Sequence, residues 1–214
     1  MTGNQVLEVF TENRPVIKVE KNITLLKAGE EQSCVWYLKS GYVKQVVSTS
    51  KGKTVNFHIF KPGSVFPLMW LLTENGNRYD YRTVCRTELV KIPNAEFTSF
   101  LNAHPELVSF FMKRMLLGIN GLLTRLESFI VDDVETRLLK LLTYLNDSYS
   151  EKSRSKDALI SFTLTHEELA AWIGAARETT TFAIRRLIKK KQLSMSGKHY
   201  RILSTRRLKG RTKS

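Results

Sequence analysis

Residues 164–193 read LTHEELAAWIGAARETTTFAIRRLIKKKQL, two helical patterns with a glycine between them. Thr165 followed three places on by Glu168 is a capping box: hydroxyl and carboxylate satisfy the backbone amides that a helix start leaves without partners. Leu169, Ala170 and Ile173 recur at helical spacing, and Gly174 supplies a residue that turns the chain. A second helix is expected from about Arg177, burying Phe182, Ile184, Leu187 and Ile188 and showing Thr180, Thr181 and Arg185. Two helices joined by a short glycine-containing turn form the unit that lays its second helix in a DNA major groove, although a plain helical hairpin shares the pattern.

Charge separates those two readings. The chain carries a formal +14 over 214 residues, and most of the excess sits at one end. Residues 160–214 hold 13 Lys and Arg against 3 Glu, a net +10, whereas residues 1–159 hold 21 basic and 17 acidic side chains, a net +4. A surplus concentrated in one small C-terminal unit is the electrostatic footprint of a duplex-binding module. Neutralised phosphates release condensed counterions, which supplies affinity and makes it fall with salt. Lys189–Lys191 and Arg206–Lys213 alone would equally suit a solubilising end or a membrane-surface patch, so the charge argues together with the motif.

Composition excludes several classes. No run approaches the ~18 apolar residues needed to span a bilayer, and no secretory signal opens the chain, so a cytoplasmic protein without a membrane partner is expected. Cys34 and Cys85 are too few for a disulfide framework or an iron–sulfur cluster and read as buried free thiols. His58, His104, His166 and His199 lie far apart with no metal-binding pair among them. No G-x-S-x-G, P-loop or G-x-G-x-x-G occurs either. No catalytic residues, metal site or cofactor are therefore expected.

Upstream, residues 15–95 read as short strands punctuated by Gly29, Gly41, Gly52 and Gly63. Val35–Leu38, Tyr42–Val47, Thr54–Phe60 and Leu89–Ile92 are rich in β-branched and aromatic residues, and their regular spacing argues for a jelly-roll sandwich or barrel, with Lys51-Gly52-Lys53 as a hairpin tip. From Asn94 the period becomes helical, with His104-Pro105 ending a short helix and opening a long one. Val108, Met112, Met115, Ile119, Leu122, Leu126 and Phe129 alternate steps of four and three, a seam that holds two helices side by side. A second row, Leu116, Leu123 and Ile130, lies beside it. One row is expected on the sandwich and the other on a partner helix, which makes the chain a homodimer.

Val131-Asp132-Asp133 interrupts the apolar pattern and reads as a hinge, with Asp132 or Asp133 capping a further helix, Val134–Tyr149. Residues 147–156 form a polar loop, residues 159–164 a short strand, and Leu193–Leu203 a hairpin that completes a winged helix. The expected architecture is α+β: a β-sandwich sensor domain over residues 1–104, a central dimerisation helix over 105–131, and a winged helix-turn-helix DNA-binding domain over 132–214.

This arrangement resembles the Crp/Fnr family of transcription regulators over nearly the whole chain. Its most specific part is LTHEELAAWIGAARETT, in which Arg177-Glu178-Thr179 matches the family's R-E-T at the start of the recognition helix. The resemblance implies a homodimer on a two-fold symmetric double-stranded DNA site, a signal sensed in the sandwich, and contact with RNA polymerase if the protein activates. It places Arg177, Glu178 and Thr181 at base edges and Thr165, Thr179, Arg185 and Lys198 at phosphates. An arginine fork suits guanine O6 and N7, and a carboxylate suits cytosine N4. Phe182 and Ala176 depart from the family, which places Arg or Ser near the first and a capping Ser or Thr at the second.

Cyclic-nucleotide binders of this fold carry Gly-Glu-Leu/Ile and later Arg-Thr/Ser-Ala, for ribose and phosphate respectively. Here the first element is Gly63-Ser64-Val65-Phe66-Pro67, without the carboxylate, and Arg78-Tyr79-Asp80 and Arg82-Thr83-Val84 only approximate the second. Each lost charge-assisted bond is worth ~1.5–3 kcal/mol, so cyclic AMP is not the expected effector. Phe66, Trp70, Tyr81 and Arg82 are instead candidates for the wall of an apolar or aromatic effector pocket, or simply pack on the central helix. Three rival readings remain at this level: a small-molecule sensor whose winged helix binds a protein, a cyclic-nucleotide-responsive regulator, and a cupin-type enzyme, which the scattered ligands disfavour.

Overall fold

Val35 and Tyr37 lie on one side of a strand and Trp36 and Leu38 on the other, and both sides are covered. The computed structural model describes residues 2–48, 54–73, 76–149, 162–197 and 199–203. The hairpin tip Lys51–Lys53, part of the polar loop, Lys198 and the basic tail lie outside the described residues. The strand is β3 (Cys34–Ser40), which pairs antiparallel with β8 (Thr87–Pro93) in the register Val35↔Ile92, Tyr37↔Val90 and Leu38↔Leu89. With β1 (Val16–Val19) and β6 (Val65–Phe66) these form one sheet, ordered β1-β8-β3-β6. The second sheet runs β2-β7-β4-β5, from β2 (Thr24–Leu26), β7 (Asp80–Thr83), β4 (Val43–Ser48) and β5 (Thr54–Phe60).

The two-residue period of a strand sends alternate side chains into two cores. Leu38 and Leu89 meet Leu26, Val43, Phe66 and Tyr81. On the opposite face, Val35, Tyr37, Val90 and Ile92 meet Leu7 of α1 (Gly3–Thr11), Phe97 and Leu101 of α3 (Asn94–Ala103), and Leu107 and Phe111 of α4 (Pro105–Val131). A sheet buried on both faces reads as a nearly continuous apolar run, which is why β3 and β8 were legible in the sequence. The turn from β3 to β4 depends on Gly41, at φ +82°, where a Cβ would come within 2.6 Å of the Arg86 carbonyl oxygen.

Four short strands, α1 and α2 (Leu68–Thr73) had no separate sequence signal assigned to them. For α1 the signal existed: Thr2 and Gln5 form a capping box. The His104-Pro105 break, the span of α4 and α5 (Val134–Tyr149) follow the sequence reading. Of the strand expected at 159–164, residues 162–164 are described and are not strand.

The chain divides into two compact units, Met1–Leu122 and Leu123–Ser214, so that α4 contributes to both. Neither apolar row of α4 is covered. Val108, Met112, Met115, Ile119, Leu122 and Leu126 are between 42% and 57% exposed, and Leu116, Leu123 and Ile130 between 59% and 77%. The expectation that one row would pack on the sandwich is therefore corrected: Leu107, Phe110 and Phe111 of the first turns do that. Arg114 follows them, donating to the Gly63 carbonyl at 3.0 Å and to Ser64 Oγ at 2.9 Å. By length and composition α4 is also long and apolar enough to cross a membrane, although Lys113, Arg114, Arg125 and Glu127 interrupt its apolar runs.

Candidate nucleic-acid interface

The C-terminal unit is built on α5, α6 (His166–Ile173) and α7 (Arg177–Lys189), closed by the hairpin of β9 (Leu193–Ser196) and β10 (His199–Ile202). The capping box is formed: Thr165 Oγ1 accepts from Glu168 N at 3.1 Å, and Thr165 N donates to the Glu168 carboxylate at 2.9 Å. Gly174 closes α6 in the left-handed region at φ +62°, where any Cβ would also meet the Phe129 ring at 3.0 Å. Ala176 precedes α7 without a side-chain cap, as its departure from Ser or Thr implied.

Leu169, Ala170, Trp172 and Ile173 of α6 and Thr180, Ala183, Ile184 and Leu187 of α7 are buried. Leu138, Leu142 and Leu145 of α5 are buried in the same unit, and α5 packs on both α6 and α7. The buried stripe of α7 thus begins at Thr180, two residues earlier than expected. Thr180 is fully buried, whereas Phe182 is 60% exposed and Ile188 38% exposed, correcting all three assignments. The reason is geometric: 180, 183, 184 and 187 share one face, and 182 falls about 160° from both 180 and 184 on a 100°-per-residue wheel. Thr180 satisfies its hydroxyl on the Ala176 carbonyl at 2.9 Å, which lets a polar residue occupy the core.

The opposite face is open. Arg177, Glu178, Thr179, Phe182, Arg185, Arg186 and Lys189 are exposed. Arg186 and Lys190 both pair with Glu135 at the start of α5. Among the described residues Arg177, Arg185 and Lys189 have no acidic partner, so their charge faces outward uncompensated. Thr181 is half-buried, and its hydroxyl donates to the Arg177 carbonyl while meeting His166 Nδ1, each at 2.9 Å. With the hydroxyl proton committed to the carbonyl, the histidine contact requires the Nδ1–H tautomer as donor. The expected base reader is thus already bonded within the unit, bracing α7 on α6. Lys198 lies outside the described residues.

The end of α4 is fastened to this unit. Arg125 lies over the Trp172 ring at 5.2 Å and Arg137 over the Phe129 ring at 5.3 Å. Burial pulls the Arg125 guanidinium below the ordinary arginine value. Phe129, expected in the dimer seam, is thereby engaged inside its own unit as well. Asp133 caps α5 by accepting from Thr136 N at 2.8 Å. Asp132 does something else: its carboxylate accepts Ser128 Oγ and Lys140 Nζ, both at 2.5 Å. At the break after Val131, read as a hinge in the sequence, Asp132 thus bridges Ser128 of α4 and Lys140 of α5.

Of the four candidates for an effector wall, two meet. Phe66 and Tyr81 are buried and stack with ring centroids 5.3 Å apart. Arg82 is on the other face of β7, paired with Asp80 at 2.7 Å, and Trp70 is half-buried on α2. The sequence reading missed Arg114, whose guanidinium holds the Gly63–Ser64 turn.

Two family models match the chain: a cyclic nucleotide-binding domain over residues 16–104 and a Crp-like helix-turn-helix domain over residues 136–211. The chain is 27% identical over 187 residues to the global nitrogen regulator of a Nostoc species, covering 86% of this chain and 83% of that protein. It is 26% identical over 198 residues to the anaerobic regulatory protein of Bacillus subtilis, covering 91% and 81% respectively. A CRP/FNR-family transcriptional regulator of Thermus thermophilus shares the fold with a TM-score of 0.73 at 19% identity, over 91% of this chain and 96% of that one.

Proposed function

This chain belongs to the Crp/Fnr family of DNA-binding transcription regulators, and on that premise we propose that it acts as a cytoplasmic homodimer on an inverted-repeat site. The observation that carries the reading is the open face of α7: Arg177 and Glu178 at its exposed N-terminal end, Arg185 two turns on, and a fully packed face behind them. Recognition helices read base edges with their N-terminal residues, and arginine and glutamate fit a G·C pair. Arg185, Thr179, Lys198 and the first turn of α6 after Thr165 supply phosphate contacts that set register. Thr181 serves the site as the brace between α6 and α7.

The second copy of the chain is the occupant of the α4 seam. Two rows of large apolar side chains run along its length, at the a/d spacing that pairs two helices, and Arg114 ties the middle of the helix to protein polar groups. A membrane would have to accommodate Lys113, Arg114, Arg125 and Glu127 along the same helix. If the regulator activates, RNA polymerase is a further partner.

The effector is not cyclic AMP in this reading. The turn that would take the ribose has no carboxylate, and the Ser64 hydroxyl that stands there already accepts from Arg114. Selection of sites from a random duplex library with the purified protein tests the whole reading. An inverted repeat with a G·C pair in each half-site is expected without added ligand. Recovery of nothing above background, with and without cyclic AMP, would refute it.

A further inference from the structure

Phe182 is the one large apolar side chain on the open face in the first two turns of α7, at 60% exposure. It stands one turn beyond Glu178 and one turn before Arg185 and Arg186. Its ring also borders a groove of about 380 Å³ whose far wall is Asp133, Val134 and Glu135. Glu135 on that wall is already paired with Arg186 and Lys190 and Asp133 caps α5, so the groove is closed into internal contacts, while along the helix the ring shares the open face with Glu178 and Arg185. The buried stripe of α7 packs without it, so Phe182 has no evident role in holding the unit together.

We infer that Phe182 reads a thymine, its ring packing on the 5-methyl group within about one or two base pairs of the G·C pair taken by Arg177 and Glu178. The inference rests on the DNA-reading role proposed for α7 and adds a specificity determinant to it. In the major groove the thymine methyl is the only apolar feature of the four bases, and phenylalanine is among the side chains that contact it. Residues one turn apart on a helix lie about 5.4 Å apart along its axis, comparable to one or two base-pair steps. A ring already exposed in the free protein gives up only water when it meets the methyl.

Deoxyuridine isolates the contact, because it removes the methyl and keeps every hydrogen-bonding group. Binding is measured by fluorescence anisotropy on the selected duplex, with each thymine of one half-site replaced in turn by uracil, for the wild type and for Phe182→Ala. One replacement should weaken the wild type roughly fourfold, the effect of one buried methyl-sized group. Phe182→Ala should lose a similar factor on the thymine duplex, be indifferent to that replacement, and melt at the wild-type temperature. Phe182→Leu should retain part of the discrimination. Equal uracil penalties in both proteins, or none in the wild type, overturn the inference while leaving α7 a DNA reader. Absence of binding to any selected duplex overturns that reading and the inference with it.

Discussion

Lys140 Nζ and Ser128 Oγ meet the same carboxylate oxygen of Asp132, so one buried side chain joins the last turns of α4 to the second turn of α5. The Asp132 side chain is 3% exposed and that of Lys140 is 39% exposed. Removing one partner of a buried pair leaves an uncompensated charge, which costs more than the pair contributes. Lys140→Met should therefore destabilise the C-terminal unit by about 1–2 kcal/mol, less than a fully buried pair because water reaches the site. Asp132→Asn keeps an acceptor for Ser128 and should cost less. Urea denaturation of the two variants and their double mutant checks this. Strict additivity would mean the contact is not energetically coupled.

Gly174 meets two constraints at once, φ +62° and a Phe129 ring 3.0 Å from where a Cβ would stand. Gly174→Ala should cost about 1–2 kcal/mol from the left-handed backbone alone. Pairing it with Phe129→Leu should recover only the steric part. A thermal melt of Gly174→Ala indistinguishable from wild type would show that neither constraint acts.

The helix-turn-helix was legible because its signals are local: a capping box, a glycine in the turn and a 3.6-residue period all fall within 30 residues. Which face of α7 is buried was not, because Thr180 satisfies its hydroxyl on its own helix and so mimics an apolar residue, while Phe182 mimics a core residue it is not. The short strands β1, β2, β6 and β7 have two to four residues each, too few for a period-2 pattern to emerge. Arg114 could not be assigned from spacing, since its partners at Gly63 and Ser64 are about 50 residues away in the chain.

Arg14 donates to Glu96 in the first turn of α3 with both terminal guanidinium nitrogens and holds that carboxyl below the ordinary range, first by hydrogen bonding. A carboxyl with a depressed folded value contributes stability above its unfolded value, and that contribution is lost as pH falls through the folded one. The melting difference between wild type and Glu96→Gln should therefore be full at neutral pH, begin to shrink near about pH 4, the ordinary range of glutamate, and vanish only below that range. A difference that grows on acidification would contradict the pairing.

The α4 seam predicts an oligomeric state. Ile119→Glu places a charge in the middle of both proposed helices at the a/d interface, where it would face its own copy. The wild type should sediment as a dimer at micromolar concentration, and the variant as a monomer with unchanged far-ultraviolet circular dichroism. DNA affinity should fall sharply, because the two half-sites are then bound separately. A wild type that sediments as a monomer would refute the seam.

Thr181 and Arg177 share a hydrogen bond at 2.9 Å, from the threonine hydroxyl to the arginine carbonyl, and that bond changes what mutation of each should do. Arg177→Ala removes a base-reading fork and should relax specificity at one position by ~1–3 kcal/mol, while Lys198→Ala should weaken all sequences alike. Thr181→Val keeps the shape but deletes the hydroxyl that braces α7 against His166. If that hydroxyl reads a base, the variant relaxes one position of the selected site. If it acts as a brace, affinity falls at every sequence and the selected site is unchanged, and His166→Ala reproduces the loss without adding to it in the double mutant. Competition binding against single-base variants of the site separates the two. The hydroxyl lies between α6 and α7 with its proton on a carbonyl, so the uniform loss is the expected result.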